Sequence, residues 1–494
     1  MGGTELLGDT RLRSIAIVGG GVAGWMAAAA LSRLVKSSYC SVRVIEHPAA
    51  TPLGRAEGTI PALQRFHNLL GIDERAFLRK TAATFKLGIE FAGWMRAQES
   101  FFHTFCEFGG TIAQVPFHHH WLRLRAAGER AGIDAYSIAT VAARLGRFER
   151  TSPDRSSPLS LFSYAYHVDA ALYADFLRDY ATARGVERIA ATAVDAELHG
   201  SDGFVAAVVL DDHRRIEGDF FIDCTGLPGL VMERVLKTGI EDWSRWLPCD
   251  RAVAAERPNG DAIPVHTRID TAAAGWRWSI PLSDRTDCGY AYASAFASDD
   301  DALQAVPGAS TVRRFVNGRP KKFWNRNCLA LPGGFVEPLE ANTVHLIQTG
   351  ILRFVSTFPD RTCDPLDAAE YDRLAATELE RVRDFLILHY ATAGRDDTPF
   401  WRHCRAMEVP DTVRRKIALF RGSGKVAMLD GEHFAEHSWV SLMLGHDIVP
   451  RAADPLAEIA GIEEVRRHSA RMAETIRAAA LSMPLHRQYL AAAT

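Results

Sequence analysis

The sequence predicts an α/β protein with a mixed sheet in its first two thirds and a mostly helical C-terminal part. Three observations carry this. A strand, a glycine turn, a helix and a second strand open the chain; short β-rich runs recur between about 189 and 296; and from about 365 onward the apolar residues follow a helical period. At 494 residues, with 47% apolar and 24% charged, the chain exceeds a single core and predicts two or three interlocked subdomains. No repeats, low-complexity tracts or flexible linkers interrupt it, so the parts are expected to pack as one body.

Ser14-Ile-Ala-Ile-Val18 reads as a strand running into Gly19-Gly20-Gly21-Val22-Ala23-Gly24-Trp25. An alanine-rich helix is expected from Trp25 to Val35, then a strand Ser41–Ile45 ending in Glu46. Gly19, Gly21 and Gly24 satisfy G-x-G-x-x-G, and Glu46 follows the last glycine by about twenty positions, which gives a dinucleotide fingerprint in its Rossmann β-α-β context. The helix N-terminus meets the pyrophosphate, and Glu46 can accept from the adenosine ribose hydroxyls. Residues 60 to 150 read as mixed and mostly helical, with aromatic-rich turns around Phe101-Phe102-His103 and Phe117 to Trp121. A helix is predicted over Tyr166–Ala183, strands near Ile189–Val194 and Val205–Leu210, and a buried strand at Phe220-Phe221-Ile222-Asp223. The last leads into Cys224-Thr225-Gly226, an Asp-x-[ST]-Gly segment that resembles the second flavin-contacting strand of glutathione-reductase-type flavoproteins; Cys224 is expected to be small and buried. Strands around 263–296 carry Trp276-Arg277-Trp278-Ser279-Ile280-Pro281, where alternation turns both indoles to one face. Helices are predicted at Ala368–Tyr390 and Glu463–Ala480.

A net charge of -3 offers no basic field for nucleic acid or anionic lipid. Cys40, Cys106, Cys224, Cys249, Cys288, Cys328, Cys363 and Cys404 show no C-x-x-C spacing, which argues against zinc and suits reduced thiols. The opening MGGTELLGDTRLR lacks an apolar signal core, Leu6 replaces the Ser or Thr of a myristoylation start, and no run reaches transmembrane length. The expectation is a soluble cytoplasmic protein. His118-His119-His120 is not read as a metal site, because consecutive histidines cannot all face one ion on a regular element.

Several segments in order resemble the tryptophan-halogenase family of flavin-dependent halogenases and together span nearly the whole chain. They are Gly19 to Ala28 (G-x-G-x-x-G-W-x-x-A); Ala56-Glu57-Gly58-Thr59-Ile60-Pro61, with Ala for the family's first glycine; Thr84-Phe85-Lys86-Leu87-Gly88-Ile89; Ser163 to Asp169; the W-x-W-x-I-P of Trp276, Trp278, Ile280 and Pro281; Phe335-Val336-Glu337-Pro338-Leu339-Glu340; and Thr398 to Arg402. The resemblance implies a glutathione-reductase-type FAD-binding Rossmann fold. The core is expected over 1–365, with substrate-side elements at about 60–150 and 263–330, and a helical subdomain at 366–494 covering the substrate pocket. It implies FAD, supplied as FADH2, held by Gly19, Gly21, Ala23, Gly24, Trp25, Glu46 and Gly58, with Leu331 and Val344 against it. In the family, FADH2 and O2 give a flavin hydroperoxide, halide attacks it, and hypohalous acid travels through a tunnel to a lysine, here Lys86. Lys86 then hydrogen-bonds the oxidant as an ammonium, or forms a haloamine as a neutral amine. Glu340 is implied as the partner that stabilises the cationic intermediate and accepts its proton. Glu337 is the competing carboxylate, read as ordering the loop.

Two departures follow. After the glutamate the family commonly continues Ser-Thr-Gly-Ile, but here Ala341-Asn342-Thr343-Val344 stands, leaving the backbone amides of Asn342 and Thr343 to bind chloride or bromide. Enzymes acting on free tryptophan carry an asparagine-rich clamp where this chain reads His433-Phe434-Ala435-Glu436-His437-Ser438-Trp439. Phe434 can still stack on a ring, and His103 either lines the pocket or is a core histidine. The implied substrate is a small indole-like aromatic. The single phosphate-binding fingerprint favours a separate flavin reductase as partner; no nucleic acid or membrane partner is expected, and a homodimer is compatible with the sequence. The alternatives are a flavin-dependent aromatic hydroxylase and a flavin-binding sensor without catalysis.

Overall fold

A computed structural model describes residues 9–48, 56–331, 333 and 335–493. The myristoylation-like start lies outside the described residues. The opening strand Ser14–Val18 pairs in parallel with Ser41–Glu46 on one side and Phe220–Asp223 on the other. Glu187–Ala190 and Cys328–Ala330 extend this sheet in parallel at its two flanks, and Trp324–Asn325 closes one edge antiparallel. All four residues of Phe220–Asp223 are buried, as expected of a central parallel strand covered on both faces.

A second sheet of seven strands runs in the order Val312–Arg314, Arg251–Pro258, Arg285–Tyr292, Gly275–Pro281, Thr267–Ala272, Gly88–Ala92, Ser100–Thr104. Its pairs are antiparallel except for Thr267–Ala272 beside Gly88–Ala92. Between the two large sheets lies a short three-stranded one in which Ala165–Asp169 pairs antiparallel with both Ala56–Gly58 and Thr84–Lys86. The C-terminal region is helical, led by Pro365–Ala391 and Ile462–Ser482. One apolar cluster runs from Leu12 to Ala493, so sheets and C-terminal helices share a core.

Three boundaries differ from the sequence reading. The first helix is Val22–Leu34, beginning three residues early because Gly21 itself serves as N-cap. Tyr166–Asp169 is strand rather than helix; the helix Ala170–Thr182 starts only after Asp169, whose carboxylate accepts from Leu172 N–H at 2.8 Å. Ser100–Thr104 is the edge strand of the seven-stranded sheet, and Phe117–Ala126 is a helix after Pro116, where aromatic-rich turns were expected. Cys224 is half-buried rather than buried, and all eight cysteines are free. No helix among the described residues is long and apolar enough to cross a membrane.

Candidate active site

The glycine turn is a cradle that side chains would fill. Gly19 has φ +110, and a Cβ on Gly24 would lie 1.8 Å from the Gly19 carbonyl oxygen, so strand and helix meet backbone to backbone. At Gly21 a Cβ would meet nothing within 4 Å, and no side chain caps the helix that begins there. Its orphan N–H groups and positive dipole end therefore face open space, which fits a pyrophosphate. Trp25 donates from its indole to Glu46 Oε1 at 2.9 Å, and Arg188 pairs with Glu46 Oε2. Each carboxylate oxygen keeps a further lone pair for a ribose hydroxyl. Ala23, Leu331 and Val344 are buried, and a Cβ on Gly333 would come within 3.3 Å of Ala23.

Trp276 and Trp278 do point to one face, with ring centroids 5.8 Å apart. Trp278 lies flat over the cross-strand Gly289, where a Cβ would come within 1.9 Å of the indole, and its N–H donates to Asp287 at 2.8 Å. The two indoles and Ile280 line an internal cavity together with Glu57, Gly58, Leu339 and Ala341 among others. Pro281 stands outside it; its carbonyl accepts from Thr84 Oγ1 at 2.7 Å.

Lys86 ends Thr84–Lys86 and lies beside Gly58 of the cavity lining. It is wholly buried, donates to the Thr59 carbonyl at 3.1 Å, and lies 5.2 Å from the centre of the Phe105 ring. A Cβ on Gly58 would stand 3.0 Å from its Nζ, so the glycine keeps the cavity side of the ammonium open. Burial pushes the lysine down to about 7, against the opposing pull of Glu340 and Glu57. Burial and Asp287 push Glu57 up to about 7, with Lys86 opposing.

Glu340 is gripped from two sides. His103 Nδ1 lies 2.7 Å from Oε2, and His389 Nε2 lies 2.6 Å from Oε1. Burial alone would raise this carboxyl, but the two histidines outweigh it and hold the group below its ordinary range. Burial in turn keeps His389 low. The result is an ionised, desolvated carboxylate whose charge acts on a lysine that burial lowers to about 7. His103 is itself buried, its Nε2 has no hydrogen-bond partner, and its ring lies 6.1 Å from that of Phe434.

Glu337 has different surroundings. Trp276 donates to the Tyr390 hydroxyl at 3.0 Å, and Tyr390 donates to Glu337 Oε2 at 2.9 Å. Asn317 Oδ1 accepts from the Glu337 N–H at 2.8 Å. Burial pushes this carboxyl up to about 8, so at neutral pH it is mainly protonated and ties the loop to the tryptophan wall.

Ala341, not Asn342 or Thr343, carries the left-handed turn, at φ +56. Asn342 is the N-cap residue of the helix Thr343–Ser356, but its side chain makes no cap, and both its polar atoms are buried without partners. A 14-residue helix thus presents uncapped N–H groups and an unpaired amide, which can take an anion.

Beyond His103, Phe434 stacks on Phe385 at 3.7 Å. A surface cleft follows, lined by Glu107, Phe108, Phe117, Ala435, Glu436 and His437 among others, and none of the described residues lining it is Lys or Arg. Burial and Glu107 raise the carboxyl of Glu436, and burial and His103 hold His437 down to about 4. Of the three consecutive histidines, His118 lines this cleft; His118 and His120 hydrogen-bond the carbonyls of Gly424 and Ile112, and His119 Nδ1 accepts from the Asp454 N–H.

The tryptophan halogenase family matches residues 14–461. The chain belongs to this family of flavin-dependent halogenases. Among solved structures, the halogenase superposes on BrvH, a flavin-dependent halogenase from Brevundimonas sp. BAL3, with a TM-score of 0.93, 41% identity and coverage of 98% of this chain and 100% of that one. Xcc4156, a flavin-dependent halogenase from Xanthomonas campestris, gives a TM-score of 0.93, 41% identity and 98% of each chain. Tryptophan 6-halogenase SttH of Streptomyces toxytricini is 30% identical over 97% of this chain and 98% of its own length. The protein is accordingly an enzyme and a flavoprotein.

Sequence reasoning missed His389, Glu57 and Phe105. His389 lies forty-nine residues from Glu340, inside a helix whose pattern marks it only as buried. Glu57 stood in plain view in the Ala56–Pro61 segment but without a partner to mark it.

Proposed function

We propose that this halogenase installs chloride or bromide on a small electron-rich aromatic of the indole class, using FAD delivered reduced by a separate reductase. The observation that carries this most is that Lys86 and Glu340 are both buried, with the Glu340 charge acting on the lysine, and that Lys86 Nζ lies beside Gly58, which lines a cavity together with Trp276 and Trp278. Bound reduced flavin, with O2 and halide, supplies a hypohalous oxidant.

The uncapped helix end at Gly21, the close backbone contact at Gly24, Trp25, Glu46 and Gly58 hold the dinucleotide, with Ala23, Leu331 and Val344 beside it. The helix-terminal amides at Asn342 and Thr343 hold the halide. Trp276, Trp278 and Ile280 exclude water from the cavity, so the oxidant is not lost to side reactions. Lys86, as an ammonium, keeps two N–H groups beyond the one given to Thr59, and these can hydrogen-bond and polarise the oxidant. Glu340 faces the positive charge that develops on the ring and takes up the ring proton. A cationic arenium is a strong acid, so even a carboxylate held below its usual range suffices as acceptor; being ionised in a dry site matters more than basicity. Phe434 and His103 stand where an aromatic substrate would lie.

Gly24→Val is expected to abolish flavin binding, because any β-carbon there meets the Gly19 carbonyl and forces the pyrophosphate turn open. Flavin titration of the folded variant, checked by circular dichroism, tests this; affinity within a few fold of wild type would remove Gly24 from the site.

Substrate choice follows from the cleft beside Phe434. It offers Glu107 and Glu436 and no Lys or Arg among its described lining residues, so a carboxylate head group would be desolvated unpaired. Plain indole is expected to outcompete free tryptophan and to react at its most electron-rich ring carbon. With a supplied reductase, FAD, halide and both substrates, mass shifts and NMR positions decide. Preferred single-site halogenation of tryptophan on its benzo ring would sink the substrate reading, and a product gaining oxygen without halogen would assign hydroxylation instead.

A further inference from the structure

Three side chains outside this machinery converge from three elements. They are His345 on the helix Thr343–Ser356, Glu378 on the helix Pro365–Ala391, and His433 in the loop that precedes Phe434. One ligand atom from each lies within 4.8 Å of the other two. His345 Nδ1 and both ring nitrogens of His433 are buried without a hydrogen-bond partner. The two imidazoles meet with centroids 4.3 Å apart at 60°, and His345 Nε2 stands 4.0 Å from Glu378 Oε1.

Buried polar atoms are nearly always paired, so a His433 ring with neither nitrogen bonded, next to a second imidazole and a carboxylate, calls for a partner that is not a protein group. We propose that His345, Glu378 and His433 bind a divalent first-row cation of the zinc class. Two imidazoles and one carboxylate, with a fourth position left for water, are a donor set such a cation takes. Bonds of about 2.0–2.1 Å put tetrahedral ligand atoms roughly 3.3 Å apart, so no pair of the three groups has to close by more than about 1.5 Å. Side-chain rotation of His433, which sits in a loop, can supply that.

The protonation states suit the site. Burial lowers His345, opposed by Glu378, and burial with His345 and His103 lowers His433, so both rings offer lone pairs at neutral pH. Glu378 is already oriented: Oε2 accepts from Arg353 at 2.8 Å and from Thr349 at 2.9 Å, which leaves Oε1 for the ion. The Arg353 charge behind the carboxylate weakens its pull on a cation, so moderate affinity is expected. The ion would clip the loop carrying Phe434 to two helices. The three residues lie far apart in the chain and form no ligand-spacing motif. The proposal does not rest on the halogenation reading, since its test requires no turnover.

The test strips the full-length protein with a chelator and titrates it with Co(II), following visible d–d absorption. One Co(II) per chain is expected, displaced by Zn(II). His345→Ala and His433→Ala should each weaken it about tenfold or more, and Glu378→Gln, which preserves shape, should weaken it as well, since lost or disordered ligand contacts typically cost 10–100-fold. Circular dichroism and flavin titration confirm that each variant is folded. If an alanine variant does not fold, Glu378→Gln decides. No Co(II) band in the wild type, or an unchanged band in the folded variants, overturns the proposal.

Discussion

Lys86→Met is expected to abolish aromatic halogenation while consumption of reduced flavin and O2 continues. Methionine matches the buried stem of the lysine and leaves the wall beside Phe105 filled, so loss of product reports on the ammonium rather than on a cavity. Removing one pre-organised donor from a dry site typically costs on the order of 10²–10³-fold, and here the donor is charged and handles the reacting molecule itself. Lys86 sits at about 7, so a lysine acting as ammonium gives activity that falls as pH rises through neutrality. A limb that rises there would assign the neutral amine and the haloamine route. Stability should move the other way. A lysine whose folded value lies below its unfolded one penalises the native state most fully below about 7, and the penalty fades as pH rises through the unfolded value. Lys86→Met should therefore melt above the wild type at pH 6, with the gain shrinking toward pH 10. Retained halogenation at the original rate would end the assignment.

The parts of the site that sequence reveals are those fixed by local backbone. The glycine turn needs neighbours only within the β-α-β unit, and strand alternation alone sets Trp276 and Trp278 on one face. Lys86 and Glu340 were legible through resemblance, and nothing local to Thr84-Phe85-Lys86 says that the lysine is wholly buried. That depends on Gly58 and Phe105, brought in by other elements. His389 was invisible because its role is a tertiary contact made from the buried face of a 27-residue helix. The misread Tyr166–Asp169 segment shows the same limit. Its tyrosine and valine are strand formers, but the helical run after Asp169 extends the periodic pattern backward, and only the Asp169 cap marks the break. The left-handed turn at Ala341 is likewise unreadable from a residue type that rarely adopts it.

Glu340→Gln should lower turnover by about 10²–10⁴-fold while leaving flavin binding unchanged, because it removes the charge and the proton acceptor without changing shape. The amide still fits between His103 and His389, but it offers one oxygen and one NH2 where two carboxylate oxygens stood. One histidine must then present a lone pair instead of an N–H, and a neutral imidazole can do so by changing tautomer. The fold is therefore expected to hold, with melting temperature nearly unchanged. What changes is the fate of the arenium cation: with no buried anion opposite it, the ring carbon is attacked less readily and its proton leaves to water or to a weaker base. Proton loss then becomes partly rate-limiting. Indole deuterated at the reacting carbon should show a primary isotope effect in Glu340→Gln that is small or absent in the wild type. A residue that merely props up His103 and His389 would slow the reaction without creating that effect. Turnover within a few fold of wild type, or a large loss with no isotope effect, would move Glu340 out of the proton-transfer step and leave it a support for the two histidines.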